Sequence, residues 1–199
     1  MSTEDLLPLE NEDIRQIFRH PPQLETSRLL LRPLRKEDAA DLFSYASDPA
    51  VAEYVLWHHH LSLSESKAQI RCARRQYRLG QPGSLALVEK QSGRMIGTIG
   101  YMWIDYSARS AEIGYSLSRE YWNRGLMTEA LEELIRFSFQ VLTLNRLEAQ
   151  HDTRNPASGR VMEKCGMIRE GVLRQRLKNK GVYIDTALYS ILRREYNKD

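Results

Sequence analysis

Asn123-Arg124-Gly125-Leu126-Met127-Thr128 is the segment of this 199-residue chain best suited to hold an anion. It follows a strand-like run, turns at a glycine and opens an apolar-periodic helix. Successive amides in such a turn, joined by the free N–H groups of a helix start, converge on a phosphate or pyrophosphate. Gly125 lets backbone approach such a group closely. The same glycine also fits a plain tight turn that needs positive φ and binds nothing. Two other phosphate patterns are ruled out. No GxxxxGK[ST] occurs, and Gly93, Gly97 and Gly100 fall inside a hairpin pattern, not at a strand–turn–helix junction.

Composition narrows the chemistry further. The 29 basic and 26 acidic residues leave a net charge of +3 and are scattered, so nucleic-acid binding is not expected. Cys72 and Cys165 have no ligand spacing around them and read as reduced thiols. No apolar run approaches 18 residues, and MSTEDLLPLENEDIRQIF lacks a basic region followed by an apolar one. A soluble, cytoplasmic protein is therefore expected. With 42% apolar residues the chain can bury one real core.

The elements that must position the turn can be read along the chain. Residues 1–22 read as an N-terminal extension, with Ile14, Ile17 and Phe18 at helical spacing and Pro21-Pro22 as a stop. It packs on the domain or on a neighbouring subunit. The domain proper spans 23–199. Strand patterns cover 24–34, 84–89, 95–104, 111–117, 146–150, 168–177 and 182–192. Helical patterns cover 37–47 and 62–79, the second opened by a Ser62/Glu65 capping box. A third runs over 128–142, with apolar residues at 130, 131, 134, 135, 141 and 142, a serine at 138, and a Glu132–Arg136 pair on the other face. Asn155-Pro156 supplies an N-cap and first-turn proline for a fourth, ending near Gly166. The order predicts a mixed α+β fold: a mostly antiparallel central sheet of about six to seven strands flanked by helices, with one strand–helix–strand crossover.

The stretch AEIGYSLSREYWNRGLMTEAL, residues 111–131, resembles motif A of the GNAT superfamily of acetyl-CoA-dependent N-acetyltransferases, Gln/Arg-x-x-Gly-x-Gly/Ala. It is more similar to the RimJ/RimL-type branch, where Trp replaces the leading Gln/Arg. Trp122 takes that slot, Gly125 the invariant-glycine slot and Met127 the Gly/Ala slot. LETSRLLLRPLRKEDAADLF at 24–43 and NPASGRVMEKCGM at 155–167 match the same branch, and YIDTALYSIL at 183–192 matches it more weakly. The resemblance spans about 24–192 and implies the GNAT fold.

It also implies roles. The fourth strand would splay from the fifth, leaving backbone of Tyr115, Ser116 and Leu117 to hold pantetheine and thioester. Amides of Asn123, Arg124, Gly125, Leu126, Met127 and Thr128 would hold the pyrophosphate of acetyl-CoA. The Arg124 side chain would add charge or simply be an exposed turn arginine. An attacking amine must lose a proton, and the glutamate of AEI, Glu112, matches the base of several GNAT enzymes. Alternation puts Glu112, Gly114 and Ser116 on one face. Glu112 also reads as a solvated strand glutamate or half of an ion pair. Many relatives protonate the leaving thiolate with a Tyr seven residues after the position of Asn155, but that position is Met162 here. Ser158 matches the serine of the RimJ/RimL branch and reads equally as a helix-start residue. Asn155 combines N-cap and a reach to the CoA arm. Some N-terminal acetyltransferases carry a glutamate base where this chain has Gln150, which shifts the work to Glu112. His151 beside it reads as structural.

His58-His59-His60 cannot all face one ion in regular structure and have no carboxylate or Cys partner at useful spacing, so no metal is expected. With Trp57 they are assigned to a loop or the acceptor side. The expected activity is direct acetyl transfer from acetyl-CoA to a primary amine in a ternary complex, most of all a protein N-terminal α-amine of the ribosomal-protein alanine/serine type. Small amines (polyamine, amino acid or antibiotic) and a non-catalytic acyl-CoA-binding domain are the alternatives. The expected partners are acetyl-CoA and an amine acceptor such as a ribosomal protein N-terminus, with a homodimer left open and neither nucleic acid nor membrane implied.

Overall fold

The computed structural model describes residues 9–196. Its strands are β1 (Leu24–Glu25), β2 (Leu29–Pro33), β3 (Ser84–Glu89), β4 (Met95–Asp105), β5 (Ser110–Leu117), β6 (Arg146–Asp152), β7 (Ile168–Asn179) and β8 (Val182–Leu192). Its α-helices are α1 (Asn11–Arg19), α2 (Ala39–Ala46), α3 (Pro49–Ala52), α4 (Leu63–Arg78), α5 (Leu126–Gln140), α6 (Pro156–Lys164) and α7 (Arg193–Tyr196). The strands form one sheet in the order β1-β2-β3-β4-β5-β6-β8-β7. Every pairing is antiparallel except β5 with β6, which the crossover through α5 makes parallel.

The described residues give eight strands, above the six to seven expected, because the run 24–34 is two strands. Thr26 makes the break. Its N–H donates to the Leu29 carbonyl at 3.0 Å, and its Oγ1 accepts from the Leu29 N–H at 3.0 Å. A hydroxyl that satisfies the backbone locally competes with a continuing strand.

Alternation along the strands sorts the core into two layers. Leu29, Leu31, Leu85 and Leu87 join α1, α5 and α6 in the larger cluster. Leu30, Ala86 and Val88 face the other way and pack with Leu42 and Tyr45 of α2 and Ile70 and Ala73 of α4. Helix α1 belongs to the larger layer: Ile14 and Phe18 are buried, and the Phe18 ring meets Tyr101 edge-on at 5.6 Å.

Several local expectations are corrected. Helix α5 starts at Leu126, two residues before the pattern suggested, because Gly125 in left-handed conformation already turns the chain. Ser138 sits within its buried face without penalty, donating to the Leu134 carbonyl (2.7 Å) and sharing a 2.6 Å hydrogen bond with the Tyr101 hydroxyl. Arg136 pairs with Glu133, not Glu132, through contacts of 2.8 and 2.6 Å, since the i,i+3 spacing allows a two-pronged fork. The Ser62/Glu65 box does not close. Glu65 accepts from Leu61 N–H at 2.8 Å, while the Ser62 hydroxyl pairs with Ser64 at 2.7 Å.

Candidate functional site

Strands β5 and β6 stay paired only from Ser110↔Arg146 to Ile113↔Ala149. Beyond that rung β5 continues along β4 to Leu117, and β6 continues along β8 to Asp152. The sheet therefore opens, and the β6-facing edge of Tyr115–Leu117 borders a cleft of about 480 Å³. Tyr115, Ser116 and Leu117 form one wall; Asn123 and Gly125–Thr128 form the end; Asn155 and Ser158 of the α6 start form the opposite wall. Arg124 and Glu112 are the two predicted site residues that do not line it.

At the closed end, Asn123 (φ 60°) and Gly125 (φ 73°) both adopt the left-handed region. Two such residues turn successive amides toward one side. The α5 ladder begins with Glu129 N–H to the Gly125 carbonyl at 3.0 Å, so the Leu126, Met127 and Thr128 amides precede it. A Cβ on Gly125 would point to Arg28, meeting Nη2 at 3.6 Å. The Trp122 indole N–H pins the turn to the end of β5 through the Leu117 carbonyl at 2.8 Å. The Arg124 guanidinium lies over the Tyr121 ring at 5.0 Å instead of entering the cleft.

Ser158 and Tyr115 meet across the cleft from elements 43 residues apart. The Ser158 hydroxyl donates to the Tyr115 oxygen at 3.0 Å, and the Tyr115 hydroxyl donates to the Ser158 carbonyl at 3.0 Å. Burial pushes the Tyr115 phenol well above its ordinary value, an effect the Ser158 bond only partly offsets, so it stays a neutral donor. Asn155 makes no side-chain cap, contrary to expectation. Its N–H donates to the Asp152 carbonyl at 2.7 Å and its own carbonyl accepts from Ser158 N–H at 3.2 Å. A fork from Arg154 to the buried Asp152 holds that turn and keeps the carboxyl below its ordinary range.

Glu112 lies on the other face of the sheet, at the second-to-last rung before the opening. Its two oxygens are fixed by the Trp103 indole N–H (2.7 Å) and the Gln150 amide (3.0 Å), and Gln150 is itself held by Thr186 at 2.9 Å. A bulge between Tyr101 and Trp103 shifts the β4–β5 register here. It puts Met102 over Gly114, with the sulfur 2.8 Å from where a Gly114 Cβ would sit. Met102 and Trp103 remain exposed beside the carboxylate.

The chain holds site-shaping residues that were not singled out from the sequence. Arg160 and Lys164, one helical turn apart on α6, line the cleft and add positive charge; their spacing in SGRVMEK was a usable signal. Ala50, Val51 and 53–55 form a further wall, held by the Lys180 ammonium, which donates to the carbonyls of Ala52, Glu53 and Val55. Nothing local in the sequence marks that clasp. His60 is buried against Ser66 at 2.7 Å while His58 is exposed, so the histidine triplet does not converge. His151 turns to the core side, against Tyr189 and the Asp152 carbonyl. Among the described residues no cluster of three or more His, Cys, Asp or Glu side chains could hold a metal, and no helix is long and apolar enough to cross a membrane.

Comparison with known proteins gives one answer. Residues 28–168 match the family model described as an acetyltransferase (GNAT) domain. An uncharacterized N-acetyltransferase, p20 of Bacillus licheniformis, is 36% identical over 173 residues, 87% of this chain and 97% of that protein. The ribosomal-protein-serine acetyltransferase of Escherichia coli (strain K12) is 33% identical over 96 residues, 48% of this chain and 54% of that one. The crystal structure of a GCN5-related N-acetyltransferase from Brucella melitensis superposes with a TM-score of 0.79 at 26% identity, covering 88% of this chain and 80% of that chain.

Proposed function

The chain belongs to the GNAT family of acetyltransferases, which use acetyl-CoA, and from that premise we propose that it acetylates a protein N-terminal α-amine by direct attack in a ternary complex. The observation that carries this reading is the parting of β5 from β6 just past Ile113 and Ala149, with Glu112 on one face of the opening and Tyr115–Ser158 on the other. Donor and acceptor can then meet edge to edge without a covalent enzyme intermediate.

Acetyl-CoA supplies the thioester carbonyl. The free edge of Tyr115–Leu117 pairs with the pantetheine amides, and the turn 123–128 receives the pyrophosphate, with Arg160 and Lys164 adding charge. Glu112 takes the proton of the attacking amine, directly or through one water, as the new C–N bond forms and the C–S bond breaks. Trp103 and Gln150 hold the carboxylate in place for that step. Ser158 rotates its hydroxyl from Tyr115 toward the leaving thiolate and donates. This is a hydrogen bond to the developing thiolate and not a proton transfer: the Tyr115 hydroxyl shifts from the Ser158 carbonyl to Ser158 Oγ and strengthens it, both hydroxyls keep their protons, and CoA leaves as the thiolate.

Two points favour an α-amine. An α-amine, of pKa about 8, is far easier to deprotonate near neutral pH than a lysine of about 10.4. A relative that shares about half of this chain is a ribosomal-protein-serine acetyltransferase. The test is release of CoA thiol from acetyl-CoA with Ala- or Ser-initiated peptides and with a panel of small amines, checked by product mass. Peptide α-acetylation is expected. Turnover with polyamines or amino acids alone would transfer the assignment to a small-molecule enzyme, and stabilisation by acetyl-CoA without thiol release from any acceptor would make it a binding domain.

A further inference from the structure

The turn between β1 and β2, Thr26-Ser27-Arg28, reaches across the molecule to the start of α5. Glu129, in the first turn of that helix, accepts from the Thr26 hydroxyl, from Ser27 Oγ at 3.1 Å and from Arg28 N–H at 2.8 Å, all on Oε1. Its Oε2 takes Arg28 Nε at 2.6 Å. The same guanidinium continues to the anion-binding turn: Nη1 donates to the Arg124 carbonyl at 2.9 Å, and Nη2 flanks Gly125.

We infer that Arg28 is a positioning residue for the CoA pyrophosphate, because it fixes the Arg124–Gly125 peptide and masks the Glu129 charge beside the phosphate site. A trans peptide points its N–H opposite to its C=O. Anchoring the Arg124 carbonyl on the Arg28 side therefore aims the Gly125 N–H away from Arg28, toward the cleft. Glu129 suits the positive end of α5, but an unmasked carboxylate there would repel a pyrophosphate. Arg28 and the two hydroxyls consume both of its oxygens. The Arg124 side chain, drawn over Tyr121, leaves this task to Arg28. A guanidinium is required because one planar group must serve a carboxylate and a carbonyl together, which an ammonium cannot do in this geometry.

This rests on the reading that turn 123–128 binds the pyrophosphate, so the experiment separates the two. Acetyl-CoA and S-acetylpantetheine, which lacks the pyrophosphate, are titrated calorimetrically against wild type, Arg28→Lys, Arg28→Met and Gly125→Val, with thermal melts alongside. Both Arg28 variants are expected to lose about tenfold in acetyl-CoA affinity and nothing in S-acetylpantetheine affinity. Arg28→Lys with wild-type acetyl-CoA affinity would reduce Arg28 to a point charge and overturn the inference, as would equal loss on both ligands, which marks a merely structural staple. If Arg28→Met does not fold, Arg28→Lys carries the test. Gly125→Val weakened with Arg28 variants unaffected defeats only the role of Arg28; Gly125→Val unaffected defeats the reading of the turn itself.

Discussion

The two faces of the sheet opening are built in different ways. The proposed CoA side is mostly local: β5, its turn and the start of α5 run without interruption from Ser110 to Thr128, and the proposed ligands there are backbone amides. The acceptor side is assembled from side chains of four strands. Glu112 comes from β5, Trp103 from β4, Gln150 from β6 and Thr186 from β8. Backbone recognition tolerates side-chain changes as long as the turn keeps its φ angles. A carboxylate held by an indole and an amide depends on each partner. Substitutions on the CoA side should therefore act on affinity, and those on the acceptor side on turnover.

Glu112→Gln breaks that comparison most strongly. Loss of a general base is expected to lower kcat about a hundredfold or more near neutral pH, with acetyl-CoA affinity unchanged. The deficit should shrink at high pH, where the amine arrives already deprotonated. Wild-type rates across the pH range would remove Glu112 from proton transfer.

Gly125→Val is the counterpart on the CoA side. A β-branched residue at φ 73° is strained, by roughly 1–3 kcal/mol, and its side chain would crowd the Arg28 guanidinium that anchors the turn. An affinity loss for acetyl-CoA of about tenfold to a hundredfold is expected, with kcat at saturating donor nearly kept. A collapse of kcat with unchanged affinity would invert the assignment of the two sides.

Tyr115→Phe and Ser158→Ala sharpen the boundary, since these hydroxyls face the CoA side yet would act in chemistry. Each is expected to cost about tenfold in kcat, and the double variant little more, because one relays through the other. Fully additive losses in the double variant would show that the hydroxyls act separately.

The same division explains what was legible in the sequence. The CoA turn was readable because its glycine, its preceding strand and its following helix are contiguous. The long strands and the α5 face were readable from period alone. Long-range satisfaction was not. Nothing near Thr26 announces that its strand must break to reach Glu129, 103 residues on. The Ser158–Tyr115 pair joins a helix start to a strand 43 residues earlier, so Tyr115 read only as backbone. Ser62/Glu65 spacing fits a capping box, yet the Leu61 N–H was an equally near donor and took the carboxylate. Asn155-Pro156 marked the start of α6 correctly, but Asp152 and Arg154 hold the turn, and their pairing has no periodic signature.

The smallest effect concerns how the acceptor face is braced. Arg146 bridges Glu148 (2.7 Å) on its own strand and Glu170 (2.7 Å) on β7, and Ser190 donates to Glu170 at 2.6 Å. The Arg146 bond, aided by Ser190, brings Glu170 from an ordinary 4.5 down to about 2. A carboxylate with a depressed folded value stabilises the fold above its unfolded value, and that contribution is lost as pH falls through the folded one. Glu170→Gln should thus lower stability near neutral pH, and the gap to wild type should close between about pH 4.5 and pH 2. Glu170 is 39% exposed, so solvent and salt screen the pair and the gap should stay below about 1 kcal/mol. Urea melts of both proteins at neutral and acid pH, with and without added salt, measure it. A gap that persists unchanged to pH 2 would mean that the amide side chain disturbs packing against Ser190, and that the acceptor face is braced by shape and not by charge.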